Sequence, residues 1–339
     1  MNDSVLNKQQ SHHLVSIIIP VYNGGLFIKD AYKLLINQKV EAFEIIFVDN
    51  NSTDNSVAQI KAIIKTDARV FLYKESVQGA SSTRNTGLRQ AKGDFIYFFD
   101  VDDELFEGAL NALLLVLLND RSLDSVHGNT IKSKLKLKDT KILTPDTHKL
   151  TIPEPYYWGI RWMHYGKLPG TPSFLHRKLV FDKIGYFNSQ LRLGEDAAFH
   201  VKLGMTCKVA HLDKNILLYY RHQSSTVSIQ NQSQAKVFTY WEPLIHEHIP
   251  YMVSQDVPVV FKRKVLERVY SYMPEMLALT KGYSNKKQLE HKLLYEIKPL
   301  TIPVLLKPFI GLIGLTGNRN LQKFYVYYLL KNYIKYVVK

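Results

Sequence analysis

Between residues 14 and 100 the chain alternates four times between an apolar run and a stretch with helical spacing, and this limits its folds more than any other feature. "LVSIIIP" (14–20) is a continuous apolar run that stops at a proline, as a buried parallel strand does. "GGLFIKDAYKLLINQ" follows, with Phe27, Ala31, Leu34 and Leu35 at helical spacing. "FEIIFVD" (43–49) reads as a second buried strand, and "NNSTDNSVAQIKAIIK" as a turn with capping residues and then a helix. "RVFLYK" (69–74) is a third strand. "GASSTRNTGLRQAKG" is a helix with Gly79 before it and Gly93 as its stop, and "DFIYFFD" (94–100) is a fourth strand. Alternation at this pace predicts an α/β protein with a doubly wound, mostly parallel sheet and helices on both faces.

The pattern loosens after "ELFEGALNALLLVLLND", which reads as a helix. In "IKSKLKLKD" (131–139) lysine recurs at every second position, which predicts an edge strand with one charged face. The alternative is a rim that attracts a phosphorylated substrate or a membrane. "YYWGIRWMHYGKLPG" (156–170) is rich in aromatic residues and predicted to be partly exposed. Trp158 and Trp162 are four apart, so in a helix they share a face; they either pack in the core or stack on an acceptor sugar. The stretches 173–188 and 191–204 read as helices with loops between them, and "NILLYYRH" (215–222) as a strand. Beyond about Gln230 the segments 234–248, 258–280 and 285–297 read as helices.

The formal charge of +14 is concentrated at this end: residues 261–339 hold 15 Lys/Arg against 4 Asp/Glu, about +11. In the last segment, "LQKFYVYYLLKNYIKYVVK", Leu329, Leu330, Tyr333, Ile334 and Val337 share one helical face, with lysines on the other. Such a helix suits a membrane surface or packs on a core; the acid-free run that contains it favours the membrane. The N-terminus is polar, with no apolar core of a signal peptide, and no stretch has the length of a spanning helix. The single cysteine, Cys207, allows no internal disulfide and reads as a small core residue. His12 and His13 fall in a tail expected to be mobile.

Ligands of open α/β sheets bind at the carboxyl ends of the strands. Here those ends are polar: Pro20-Val21-Tyr22-Asn23, Asp49-Asn50-Asn51, and Asp100-Val101-Asp102-Asp103. Neither a dinucleotide fingerprint nor a P-loop is present. The acidic cluster after "FIYFF" is costly unless a cation joins it. A D-x-D at a strand end presents oxygen ligands to a hard cation, Mg²⁺ or Mn²⁺, which completes its shell with water and phosphates.

The blocks "VSIIIPVYNGG", "EIIFVDNNSTDNS", "GASSTRNTGLRQAKGDFIYFFDVDDEL", "LRLGEDAAFHVKL" and "YYRHQSSTVS" occur in this order over residues 14–228. Together they resemble the inverting, nucleotide-sugar-dependent glycosyltransferases of family 2, which have the GT-A fold. The resemblance implies that Pro20, Val21 and Tyr22 line the nucleoside base, that Asp49 accepts from a uracil ring, and that Arg84 lies near the donor. It implies Asp102 as a direct metal ligand, with Asp100 near ribose or metal and His222 near metal or diphosphate. Val101 stands where relatives often have serine, with both carboxylates retained. Asp196, in "GEDAAF", matches the general base, with Glu195 beside it on the acceptor side. Without the resemblance, Glu195-Asp196 reads as an acidic pair at a helix N-terminus.

The expectation is therefore a tail (1–13), a GT-A domain (14–229) and a basic helical region (230–339) that associates with the membrane. The implied reaction moves a sugar from a UDP-sugar to a glycan or lipid-linked acceptor, with Mn²⁺ or Mg²⁺, in the cytoplasm at the inner face of the cell membrane. The charge also raises nucleic acid as a partner, but no matching motif supports it. Two other readings are a nucleotide-binding relative without turnover and a sugar-1-phosphate nucleotidyltransferase. The second would need a basic, glycine-rich loop after the first strand, and "PVYNGGLFIKD" lacks the basic cluster.

Overall fold

The computed structural model of the chain describes residues 13–143, 146–163, 168–191, 193–221 and 240–338. The chain divides into two compact units. The first comprises Met1–Glu154, Pro169–Asn188 and Thr206–His222; the second comprises Pro155–Leu168, Ser189–Met205 and Gln223–Lys339.

The first unit is built on one nine-stranded sheet flanked by helices. Its elements begin β1 (Val15–Val21), α1 (Ile28–Ile36), β2 (Phe43–Asp49), α2 (Ser56–Ile64), β3 (Val70–Lys74), α3 (Ala80–Gln90) and β4 (Phe95–Phe98). They continue with β5 (Glu104–Leu105), α4 (Ala109–Asn119), β6 (Ser125–Ser133) and β7 (Leu150–Thr151), and then β8 (Phe174–Arg177), α6 (Val180–Ile184) and β9 (Val209–Tyr220). α5 (Tyr157–Trp162) belongs to the second unit, as does most of α7 (Glu195–Thr206). The strand order is β3-β2-β1-β4-β8-β6-β9-β5, with β7 on β9.

β1 shows why the apolar run becomes a central strand. Val15, Ile17, Ile19 and Val21 face a core shared with Ile28, Ala31 and Leu35 of α1 and Leu110, Leu113 and Leu117 of α4. Ile18 points to the other face, where α3 lies so close that a Cβ on Gly87 would stand 2.3 Å from Ile18 Cγ2. A strand covered on both sides has no polar face to show.

The sheet is mostly parallel as expected, over β3-β2-β1-β4 and again between β6 and β9, while β8 joins the two parts by pairing antiparallel with both β4 and β6. Four expectations need correction. Residues 173–188, read as helical, contribute that strand first and only the short α6 afterwards. Of the charged edge strand expected at 131–139 only 131–133 is strand, as the end of β6, where β9 pairs with it beyond the reach of β8; Leu137–Asp139 is a 3₁₀ turn. Gly93 is not the stop of α3, which ends at Gln90. Gly93 is needed because a Cβ there would stand 2.5 Å from the Leu14 carbonyl oxygen.

The fourth correction concerns the end of the chain. The second unit continues as α8 (Ile249–Ser254), α9 (Val259–Leu279), α10 (Tyr283–Glu296) and α11 (Lys307–Thr316); α9 and α10 fall where helices were expected, and α8 and α11 were not foreseen. The terminal helix runs Arg319–Phe324, through a π-helical stretch Tyr325–Leu330, to Lys331–Val337. On the face expected to meet the membrane, Leu330 and Ile334 are buried, as is the neighbouring Tyr325. The Tyr325 hydroxyl donates to the Tyr270 carbonyl of α9 (3.0 Å), and the Arg263 guanidinium donates to the carbonyls of Lys335 and Val338. An apolar stripe with a neighbour at hand is more stable packed than solvated. No helix among the described residues is long and apolar enough to cross a membrane.

Candidate active site

In the first unit, β1 and β2 run parallel in register to their ends, Val21 opposite Asp49, and Asp49 in turn lies opposite Lys74 of β3. The loops after these strands are tied together. Asn23, in the left-handed region at φ 50°, accepts from the Thr53 amide (2.8 Å), and its own amide donates to Ser52 Oγ (3.0 Å). The Gly25 amide donates to Asp54 Oδ2 (2.9 Å), and a Cβ at Gly25 would stand 2.0 Å from Asn55 Oδ1, so any larger residue must displace that side chain. Asp49 is buried and accepts from the Ser52 amide (3.2 Å). Asn50, buried beside it, donates to the carbonyls of Glu75 and Val77 and accepts from the Gly79 amide, which fixes the entrance to α3. Tyr22 is exposed at the rim, Val21 is buried, and Pro20 is half-buried.

The D-x-D segment is a tight turn: the Asp103 amide donates to the Asp100 carbonyl (3.1 Å). Val101, in its middle, packs inward toward Gly24, where a Cβ would lie 2.9 Å away. An aliphatic residue therefore anchors the turn between its two carboxylates. Arg84 projects from α3, a polar helix whose residues Ser81–Leu88 are all buried. Its Nη2 donates to Asp100 Oδ1 at 2.8 Å, and its guanidinium lies 5.5 Å from the Phe187 ring. Charge-assisted pairing of this kind fixes the Asp100 rotamer.

Asp103 is the residue whose place the sequence did not reveal. It is buried; Oδ1 accepts from the Tyr220 amide at the end of β9 (3.2 Å), and Oδ2 has no hydrogen-bond partner among the described residues. Burial pushes its carboxyl well above the ordinary range, and the charges of Asp100 and Asp102 add to this. Only its place in a run of acids distinguished it in the sequence. A cavity of about 540 Å³ adjoins the turn, lined among others by Ala31, Leu34, Asp102, Glu104, Lys136 and Lys138. That volume lies within the range of small-molecule sites.

Asp100 and Asp102, two carboxylates on one turn, suit a hard cation that takes its other ligands from water and phosphate. Among the described residues, no three His, Cys, Asp or Glu side chains gather as a metal cage. His222 lies outside the described residues.

In the second unit, Glu195 and Asp196 open α7 after Gly194, which sits at φ 75°. Asp196 Oδ1 accepts from the Ala197 amide (2.7 Å). Tyr240 has its hydroxyl pKa raised, first by burial and then by the nearby charge of Asp196, with Arg268 opposing. Tyr240 is thus a neighbour of Asp196, with Arg268 near Tyr240, and no spacing in the sequence announces either. α7 is seated by Gly159 and Gly204: a Cβ on Gly204 would lie 2.3 Å from the Gly159 nitrogen. Trp158 and Trp162 stack at 5.3 Å and both are buried, Trp162 with no exposed surface. That corrects the expectation of an acceptor contact for both, because the glycine-seated α5 turns them into the core. Cys207 has its thiol pushed up to about 12, chiefly by burial, which makes it a poor nucleophile.

A parallel half-sheet with carboxylates at its strand ends is the arrangement of an α/β domain of the GT-A type. Residues 16–180 match the family described as Glycosyl transferase family 2, so this part of the chain is a family 2 glycosyltransferase domain. An uncharacterized glycosyltransferase of Haemophilus influenzae is 36% identical over 39% of this chain and 52% of its own length. The GalNAc(5)-diNAcBac-PP-undecaprenol beta-1,3-glucosyltransferase of Campylobacter jejuni is 38% identical over 30% of this chain and 33% of its own. The chain thus spans about half of the first relative and a third of the second. The fold is shared with S. aureus TarS 1–349 in complex with UDP-GlcNAc: TM-score 0.65, 17% identity, 94% of this chain and 92% of that one. It is also shared with the mannosyltransferase PcManGT of Pyrobaculum calidifontis, solved with GDP-Man and Mn²⁺: TM-score 0.53, 15% identity, 95% and 84% coverage.

Proposed function

We propose that the protein is an inverting glycosyltransferase that moves a sugar from a UDP-sugar to a hydroxyl of a glycan or lipid-linked acceptor, working at the inner face of the cell membrane. The observation that carries this reading is the Arg84-braced D-x-D turn at the carboxyl edge of the parallel half-sheet, with Asp49 on the same edge. The UDP-GlcNAc bound to TarS and the undecaprenol-linked substrate in the name of the Campylobacter relative support the donor and acceptor classes.

In this reading Pro20, Val21 and Tyr22 line the base and Asp49 accepts from the uracil N–H. Arg84 holds Asp100, and Asp102 with Asp100 holds Mg²⁺ or Mn²⁺. His222 approaches the metal or the diphosphate, and Glu195 stands on the acceptor side. The ion, when bound, neutralises charge on the departing diphosphate. Asp196 accepts the proton of the acceptor hydroxyl as its oxygen bonds to the anomeric carbon. The anomeric C–O bond breaks, UDP leaves with the electron pair, and the configuration inverts.

The test incubates the purified protein with a panel of UDP-sugars and Mn²⁺ and follows UDP release and the anomeric configuration of the product by NMR. Release with inversion is expected. UDP binding by calorimetry without release from any donor would favour a binding protein without turnover, and a retained configuration would overturn the single displacement.

A further inference from the structure

The burial of the expected membrane face leaves a different surface on the second unit. Leu312 and Leu315 of α11 and Phe324, Tyr327 and Tyr328 of the terminal helix are between 48% and 66% exposed. They form one patch and not scattered residues. The half-buried Phe309 ring lies 6.5 Å from Phe324, and Phe324 stacks on Tyr328 at 5.9 Å, which joins the exposed face of α11 to that of the terminal helix. Leu305 and Val304, just before α11, extend it. Isolated exposed apolar residues are ordinary, but a contiguous aromatic and aliphatic patch marks a contact surface.

The surrounding charge selects the occupant. Lys307, Lys323, Lys331 and Lys335 are exposed on the same two elements, and no acidic residue follows Glu296. Glu290 of α10 lines a hollow with Leu315 at one end of the patch, where Lys286 and Lys287 accompany it. Tyrosine and phenylalanine beside lysine, with no acid on the terminal helix itself, match the boundary between headgroups and acyl chains of an anionic bilayer. A protein partner would be expected to meet some charges of both signs. We infer that this patch seats the second unit on an anionic phospholipid membrane, with Phe324, Tyr327 and Tyr328 at headgroup level and the lysines against the lipid phosphates. The inference rests on the membrane part of the reading above and not on the sugar transfer.

The experiment is co-sedimentation of the full chain with phosphatidylcholine vesicles, with and without phosphatidylglycerol, at low and high salt. Binding is expected only to the anionic vesicles, falling with salt. Lys331→Gln with Lys335→Gln should lower partitioning about 25-fold at low salt, from about fivefold per lysine. Phe324→Ser with Tyr328→Ser should abolish sedimentation at unchanged circular dichroism and unchanged UDP affinity. No binding of the wild type to anionic vesicles overturns the inference, as does equal binding by both double variants. A wild-type dimer that the Phe324/Tyr328 variant splits, without vesicle binding, assigns the patch to a second copy instead. UDP release is measured separately on a water-soluble acceptor, so failure of the membrane test leaves the catalytic reading standing, and the reverse.

Discussion

The loops after β1 and β2 in the first unit and helix α7 in the second each hold aspartates in place, but over different lengths of chain. Asn23, Ser52, Thr53, Gly25 and Asp54 tie their loops through hydrogen bonds between residues 29 or 30 apart. α7 is held by the Lys202–Glu247 ion pair (3.0 Å, 45 residues apart) and by the crossing of Gly159 and Gly204. Arg268, near Tyr240, donates in turn to the Met163 carbonyl, 105 residues away. In the proposed reading the nucleotide site is made from consecutive βα loops and is locally ordered. The proposed base is placed by distant segments and depends on the whole second unit.

If that contrast holds, the two regions separate in function. Asp196→Asn should lower kcat about 10²–10⁴-fold with UDP affinity unchanged by calorimetry, the range for a lost general base. Asp102→Asn should lower both UDP affinity in Mn²⁺ and turnover. Should Asp196→Asn weaken UDP binding as much as Asp102→Asn does, the division fails.

The glycines sharpen the comparison. Gly159→Ala brings a methyl against the backbone nitrogen of Met205, 2.7 Å away, so it should cost about 1–3 kcal/mol by thermal unfolding. Gly25→Ala meets the side-chain ends of Asn55 and Asp54, which can move. It should change UDP affinity more than melting temperature.

Each unit also carries a buried histidine whose pKa burial pushes down. His176 is pushed down to about 3 by burial, and His248 to about 3 by burial and then by the charges of Arg268 and Lys202. Unfolded imidazoles titrate near about 6.5, so below that pH the unfolded chain binds more protons than the folded one. Stability is therefore complete above about pH 6.5 and falls toward pH 3, by at most about 1.4 kcal/mol per pH unit per histidine. The melting temperature should drop between pH 7 and 5, and His248→Phe should reduce the slope. A flat profile would show that one or both rings charge in the folded state.

The smallest effect belongs to Asp103. Asp103→Asn keeps an oxygen for the Tyr220 amide and should shift stability by less than about 1 kcal/mol. Asp103→Leu strands that buried N–H and should cost about 1–3 kcal/mol in urea unfolding. Equal costs for both would mean that the carboxylate, and not merely its acceptor oxygen, holds the end of β9 to the D-x-D turn.

The four parallel strands and their intervening helices were legible because buried strands read as apolar runs and their helices as 3.6-residue periods. The strand-end places of Asp49, Asp100 and Asp102 were legible from the apolar runs before them, whereas Arg84 was named from the resemblance and its pairing with Asp100 came only from the fold. Tyr240 beside Asp196, and Arg268 near Tyr240, could not be foreseen, since nothing in their local spacing refers to residue 196. Lys136 and Lys138 were visible as a period of two, but their place on a turn lining the cavity beside Asp102 was not.

By itself the amino-acid sequence determined which residues were apolar enough to need burial and which loops carried the acids, since periodicity and turn chemistry act within one element. Only the tertiary structure decided what each apolar face met. β8 and β9 enclosed β6 from 41 or more residues downstream, and α9 took the face of the terminal helix that would otherwise have met lipid. The hydrophobic effect is not directional: it demands cover for a surface without naming the partner, and the partner is fixed by which segments the folded chain brings alongside.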